Sequence, residues 1–199
     1  MAARLILASN SASRKTLMSG AKLDFTTEAA NIDERAIETA AAVRGATAPE
    51  IATALARAKA IDVSRRNPDA HVIGSDQVLS LGDQLLHKPR DMTEAGRHIR
   101  AMSGRTHHLN CGVAIAHGGE AIWADVSIAR MTMRPISEAF LQKYLAMAGE
   151  GILGSVGAYH FEGPGIQLFD RIEGDYFTIL GLPMLTLLAG LRKLDLIDA

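Results

Sequence analysis

The chain has 199 residues, of which 48% are apolar and 22% charged, enough to bury a sizeable core as one domain and unlike the composition of a disordered protein. A formal net charge of −1, with both signs mixed along the chain, supplies no basic stripe of the kind that follows a nucleic-acid backbone, so a nucleic-acid polymer is not an expected partner. The lone Cys111 allows no intramolecular disulfide, Leu5–Ala8 is too short for a signal-peptide core, and no window reaches the roughly 18 apolar residues of a membrane span; a cytoplasmic protein with no membrane partner is expected.

In chain order, Leu5–Ala8 reads as a short buried strand, a polar loop follows, and helical spacing from Ser13 to Ser19 ends near Gly20 in a C-cap position. "FTTEAANIDE" reads as a strand passing into a loop that ends in the carboxylates Asp33 and Glu34. Ile51, Leu55, Ala58 and Ile61 predict a helix from Pro49 to about Arg65, with Lys59 on it and the proline in the first turn. "HVIGSDQVLSL" is a β-type run interrupted at Gly74-Ser75-Asp76; the Gly82-Asp83 turn and "LLHKP" complete a hairpin. "TEAGRHIRAMSG" predicts a helix capped by Thr93 and closed before Gly104. Two β-rich runs around Gly118-Gly119 predict an antiparallel hairpin. A helix over Ser137–Met147, a Gly-rich loop with a short strand, and a C-terminal helix in "PMLTLLAGLRKLDL" complete a mixed α/β chain.

The polar loop before the first helix combines Ser9, Asn10, Ser11 and Ser13 with Arg14 and Lys15. Hydroxyls, the N–H groups of a helix start, a planar guanidinium and a mobile ammonium together suit an anion, although a Ser-rich helix cap reads the same way. Asp76 follows an apolar strand and has the chemistry of a metal ligand or general base, as a turn aspartate also would. Lys59, Lys88 and Arg105 each adjoin a structural break; with Arg14 they form a set able to neutralise a polyphosphate, opposite Glu34 and Asp76 that suit a magnesium ion. His107 and His108 are adjacent in a strand and face opposite ways, so they do not ligate one metal. Cys111 reads as a small buried strand residue. Neither a Walker sequence, a dinucleotide fingerprint nor a G-x-S-x-G elbow is present.

Taken in order, "LILASNSASRKTL", "IDE", Lys59 in "ARAKA", "VIGSDQV", "HKP", "SGRTHHLNCGVAI" and "GAYHFEG" resemble the Maf family of nucleoside triphosphate pyrophosphatases almost end to end. The resemblance implies a mixed α/β fold with a twisted central sheet and two lobes flanking a nucleotide cleft, similar to inosine triphosphate pyrophosphatases, and frequently a homodimer. It implies a divalent metal, Mg or Mn, and hydrolysis of a nucleoside triphosphate between the α and β phosphates to a monophosphate and pyrophosphate. By position, Asp76 matches the family's general base, and Ser9, Arg14, Glu34, Lys59 and Lys88 match its polar site residues, with Glu34 and Asp76 the expected metal ligands.

Two positions in the family track base preference, and here they are Gln77 and Glu162. That pair resembles the 7-methyl-GTP branch, and a carboxylate at 162 suits the donors and positive charge of a methylated guanine. The dTTP/UTP branch typically carries Thr and Gln there and is the alternative, as is a nucleotide-binding regulator of septum formation. One position departs from the methyl-GTP branch: Ser13 stands where an aromatic residue is common, so no ring at that place stacks on the base.

Overall fold

The computed structural model describes residues 3–198. The elements are β1 (Leu5–Leu7), α1 (Ala12–Gly20), β2 (Phe25–Thr27), α2 (Glu34–Val43), α3 (Ala48–Arg66), β3 (His71–Leu81), β4 (Gln84–Leu86), α4 (Met92–Met102), β5 (Thr106–His117), β6 (Glu120–Met133), α5 (Glu138–Ala148), β7 (Phe169–Glu173), α6 (Tyr176–Ile179) and α7 (Met184–Lys193). The strands form an open mixed sheet ordered β2-β1-β3-β5-β6-β7, with β4 on β3. Strand β1 runs parallel to β2 and β3, with Leu5 opposite Phe25 and His71, whereas β4 and β7 pair antiparallel with β3 and β6. The α/β class and the mixed sheet are as expected. Among the described residues no helix is long and apolar enough to cross a membrane.

The residues gather into two compact units. The first holds 3–77, 110–127 and 175–198, and its sheet is covered on both faces. Side chains alternate across a strand, so Leu5, Leu7, Ile73, Val113 and Ile115 pack with Met18 of α1 and Met184, Leu187 and Leu191 of α7. Ile6, Ala8, Val72, Ala114 and Ala116 pack instead with Ala56, Ala60 and Val63 of α3. Burial on both faces is why "LILA" is a continuous apolar run rather than an alternating one.

Helix α3 lies very close to this second face. A Cβ on Gly74 would stand 2.2 Å from the Ala56 carbonyl oxygen and 2.7 Å from the Ala60 nitrogen, and one on Gly112 would stand 2.4 Å from the Ala52 carbonyl oxygen. Glycine in neighbouring strands opposite alanine on the helix is what permits this approach. The expected interruption at Gly74 is therefore corrected: β3 is continuous through Gly74-Ser75-Asp76, and the glycine marks close backbone packing, not a break.

Two further expectations are corrected. Glu34 does not end a loop but begins α2, with Asp33 as the N-cap accepting from the Ala36 N–H at 2.9 Å. Its sequence is short and rich in alanine, and only Ala41 is buried, so no stripe of large apolar residues marks it. Helix α4 is capped by Asp91 rather than Thr93, the Asp91 carboxylate accepting from the Glu94 N–H at 2.7 Å.

The second unit holds 78–109 and 128–174. Its interior contains fully buried His107, whose ring lies 5.8 Å from that of Tyr159 and 5.9 Å from that of Phe169. Nε2 of His107 and the Tyr159 hydroxyl are hydrogen-bonded at 2.8 Å, while Nδ1 has no protein partner. Burial, helped by repulsion from His108, lowers the His107 pKa to about 4. The unfolded chain then binds this proton more readily, so stability present at neutral pH is lost as pH falls from about 6.5 towards 4. Urea unfolding of wild-type protein should show a contribution of about 2 kcal/mol to the loss between pH 7 and pH 5 that is missing from His107→Gln. An equal pH dependence in the two proteins would refute it.

Candidate active site

Strand β1 ends at Leu7, and the Ala8 N–H donates to the Ile73 carbonyl at 2.8 Å, placing the following loop at the carboxyl end of two parallel strands. Such an end, where β1 is flanked by β2 on one side and β3 on the other, is where open α/β sheets bind ligands. Ser9, nearly buried, accepts from the Ser11 N–H at 3.2 Å and from Nη1 of Arg14 at 3.3 Å. Ser11 is the N-cap of α1, whose first turn contains no acidic residue. Arg14 sits in that turn and donates from Nε to the Gly181 carbonyl at 2.7 Å. Hydroxyl, helix start and oriented guanidinium thus share one place, as an anion subsite requires.

The second cluster forms on the α3 face. Counting along β3, positions 72, 74 and 76 point to one side, so the strand that packs Val72 and Gly74 against α3 also presents Asp76 there. Lys59 of α3 donates to Asp76 Oδ1 at 2.5 Å and lies 2.8 Å from Glu34 Oε1. The Lys59 and Asp76 side chains are each 12% exposed, the Glu34 side chain 57%. Glu34 is delivered by the start of α2, which follows a loop pinned to α3: Asp62 accepts from the Asn31 N–H at 2.8 Å, and Arg66 holds Glu28 at 2.7 Å. Of the expected site residues, Glu34, Lys59 and Asp76 are in direct contact.

These residues fit a divalent cation of the magnesium type. One ammonium faces two carboxylates, an excess of negative charge on oxygen donors, and magnesium is commonly held by one or two carboxylates completed by water and substrate phosphate. Among the described residues no group of three or more His, Cys, Asp or Glu is placed to hold a metal without such help.

The other face of β3 carries Ser75 and Gln77. The Ser75 hydroxyl lies 2.9 Å from the Gly112 carbonyl oxygen and 3.0 Å from that of Gly181. The Gln77 amide nitrogen donates to the carbonyls of Thr178 at 2.8 Å and Ile179 at 3.2 Å. Gln77, expected beside the base, thus has its amide donors committed to backbone. In the sequence Ser75 stands out only as part of the expected Gly74-Ser75-Asp76 interruption, and the signal for Gly181 is the Gly-Leu-Pro that closes "YFTILGLP". Cys111 is buried as expected, and burial raises its thiol to about 12, which removes it from chemistry at neutral pH.

Ser13 is exposed on α1. Lys88, Arg105 and Glu162 belong to the second unit, all on exposed positions: Lys88 follows β4 beside buried Pro89, Arg105 precedes β5, and Glu162 lies in the loop after Tyr159.

Comparison with known proteins places the chain. The family described as Maf-like protein matches residues 4–194, and the chain belongs to that family. It is 57% identical over 195 residues, 98% of each chain, to the 7-methyl-GTP pyrophosphatase of Rhizobium meliloti (strain 1021). It is 53% identical over the whole of both chains to the 7-methyl-GTP pyrophosphatase of Brucella suis biovar 1 (strain 1330). A protein of Bradyrhizobium diazoefficiens named nucleoside triphosphate pyrophosphatase is 52% identical, covering 97% of this chain and 95% of its own.

Proposed function

We propose that this chain hydrolyses nucleoside triphosphates between the α and β phosphates, releasing pyrophosphate and a monophosphate, and that 7-methyl-GTP is its substrate in the cytoplasm. The observation that carries the reading is the Lys59 ammonium shared by exposed Glu34 and nearly buried Asp76, beside the Ser9–Arg14 subsite at the sheet's carboxyl end. Relatives named for this reaction at more than half identity over full length support it.

Asp76 accepts the proton of the water that attacks the α-phosphorus. Arg14 and Ser9 bind phosphate oxygens, and Lys59 turns from its carboxylate partners to the charge that builds on the departing pyrophosphate. Glu34 and Asp76 hold a magnesium or manganese ion, which supplies charge neutralisation on the phosphoryl oxygens when bound. Lys88 is assigned to the phosphates and Glu162 to the base through the family segments "HKP" and "GAYHFEG". A homodimer is the expected assembly, as is frequent in the family.

The test is a nucleotide panel with magnesium or manganese, scored for pyrophosphate. The expected result is pyrophosphate and a monophosphate, formed fastest from 7-methyl-GTP. Orthophosphate as the first product would overturn the cleavage site, and preference for dTTP and UTP would overturn the base.

A further inference from the structure

Residues 175–182 have no part in the reading above, yet three of the residues around the candidate site are tied to them. Asp175 opens the single turn of α6, accepting from the Thr178 N–H at 2.9 Å and from the Thr178 hydroxyl. The turn closes in a Schellman arrangement: the Gly181 N–H donates to the Thr178 carbonyl at 3.1 Å and the Leu182 N–H to the Phe177 carbonyl at 3.2 Å. That closure needs a left-handed residue, and Gly181 has φ +91°. Thr178 and Leu182 are fully buried, Leu182 within the core that contains Leu7 and Ile73. The segment is therefore anchored from its middle to its C-terminal end, and the carbonyl of Gly181 is left to accept from outside the turn.

It accepts from Arg14 Nε at 2.7 Å, and the Ser75 hydroxyl lies 3.0 Å from the same oxygen. Gln77 donates to two carbonyls earlier in the segment, those of Thr178 and Ile179. Strand β3 thus grips the segment with the residues on either side of Asp76, while Asp76 itself points to the opposite face. An arginine side chain in solution samples many rotamers. This one is held at Nε by a backbone carbonyl and at Nη1 by Ser9, so the rest of its five-donor fork is oriented before any ligand arrives.

We propose that Asp175–Leu182 is the positioning element for Arg14, and that the Gly181 carbonyl aims the guanidinium at the phosphate subsite; this rests on the reading of that subsite given above. Gly181 is then a positioning residue and acts through Arg14. An alanine Cβ there would meet Arg14 and Gln77 atoms only at 3.7–3.8 Å, ordinary contact, so Gly181→Ala disturbs the left-handed backbone and the aim of its carbonyl without a clash.

The experiment is a double-mutant cycle on full-length enzyme with 7-methyl-GTP and magnesium, joined to a 1H–15N spectrum of the arginine Nε–H groups with Arg14 identified by its loss in Arg14→Ala. Gly181→Ala is expected to lower kcat/KM about 10-fold in wild type and less than about 2-fold in Arg14→Ala, since residues acting through one another are not additive. The Arg14 Nε–H signal, protected from solvent exchange in wild type, should lose protection in Gly181→Ala. Equal fold losses in both backgrounds, or an Nε–H signal unchanged by Gly181→Ala, would overturn the proposal. An Arg14→Ala enzyme as fast as wild type would instead count against the phosphate role of Arg14, and the Nε–H signal would then decide the positioning claim. Should Gly181→Ala not fold, Gly181→Asn, which tolerates positive φ better, carries the same comparison.

Discussion

Asp76→Asn is expected to lower kcat for pyrophosphate release by about 10^3-fold, the equivalent of about 4 kcal/mol of barrier, with a much smaller change in KM. The amide has nearly the shape of the carboxylate and keeps an oxygen towards the Lys59 ammonium, now 2.5 Å away. What it loses is the ability to take a proton from water and half of the anionic charge shared with Glu34. Lys59 retains Glu34 at 2.8 Å, so the substitution does not strand a buried cation, and a folded enzyme should be recovered. Single-turnover rates alongside the steady state check that chemistry is the step affected. A variant within about tenfold of wild type would remove Asp76 from the role of base.

The second large effect lies away from the reacting atoms. Gly74→Ala adds one methyl group, and in most places that change is neutral or favourable. Here the methyl would sit 2.2 Å from a backbone oxygen of α3 and 2.7 Å from a backbone nitrogen, neither of which can rotate aside. The helix itself must shift, at about 3 kcal/mol, and the melting temperature should fall by roughly 6–12 °C for a chain of this size. Because Lys59 rides on α3 and Asp76 on β3, the same shift separates the ion pair, so activity should fall even at temperatures where the variant is fully folded. Gly20→Ala is the control: a Cβ there meets nothing within 4 Å, and alanine is the better helix residue, so the melting temperature should hold or rise slightly. Calorimetry of the two variants side by side decides the matter; equal melting temperatures would mean that α3 does not depend on this contact.

Much of the fold is legible in the sequence. Apolar runs bounded by Gly, Pro and Ser marked the strands β1, β3, β5 and β6, since burial on one or both faces leaves a direct trace in composition. The motifs around Ser9, Arg14 and Asp76 lie within or beside those strands and Lys59 lies on α3, and the family resemblance they carry is matched by the chain's membership of the Maf-like family. The weaker signals misled where local chemistry has two uses. Asp33-Glu34 read as a loop carboxylate pair, but one is spent on capping α2 and the other faces Lys59. Gly74 read as a break because glycine in a strand marks either a bend or a close neighbour, and only the position of α3 tells which.

By itself the sequence determined the class of fold, the order of its main elements and where residue types suited to a phosphate lie along the chain, because these follow from periodicity and side-chain chemistry along a few consecutive residues. Only the tertiary structure decided the partnerships. The period-2 alternation of β3 sends Asp76 to Lys59 and Glu34 and its neighbours Ser75 and Gln77 to a segment about 100 residues onward. That the Gln77 amide donates to backbone carbonyls, and what aims Arg14, depend on groups distant in the chain that packing brings within 3 Å, and no local pattern encodes which distant carbonyl that will be.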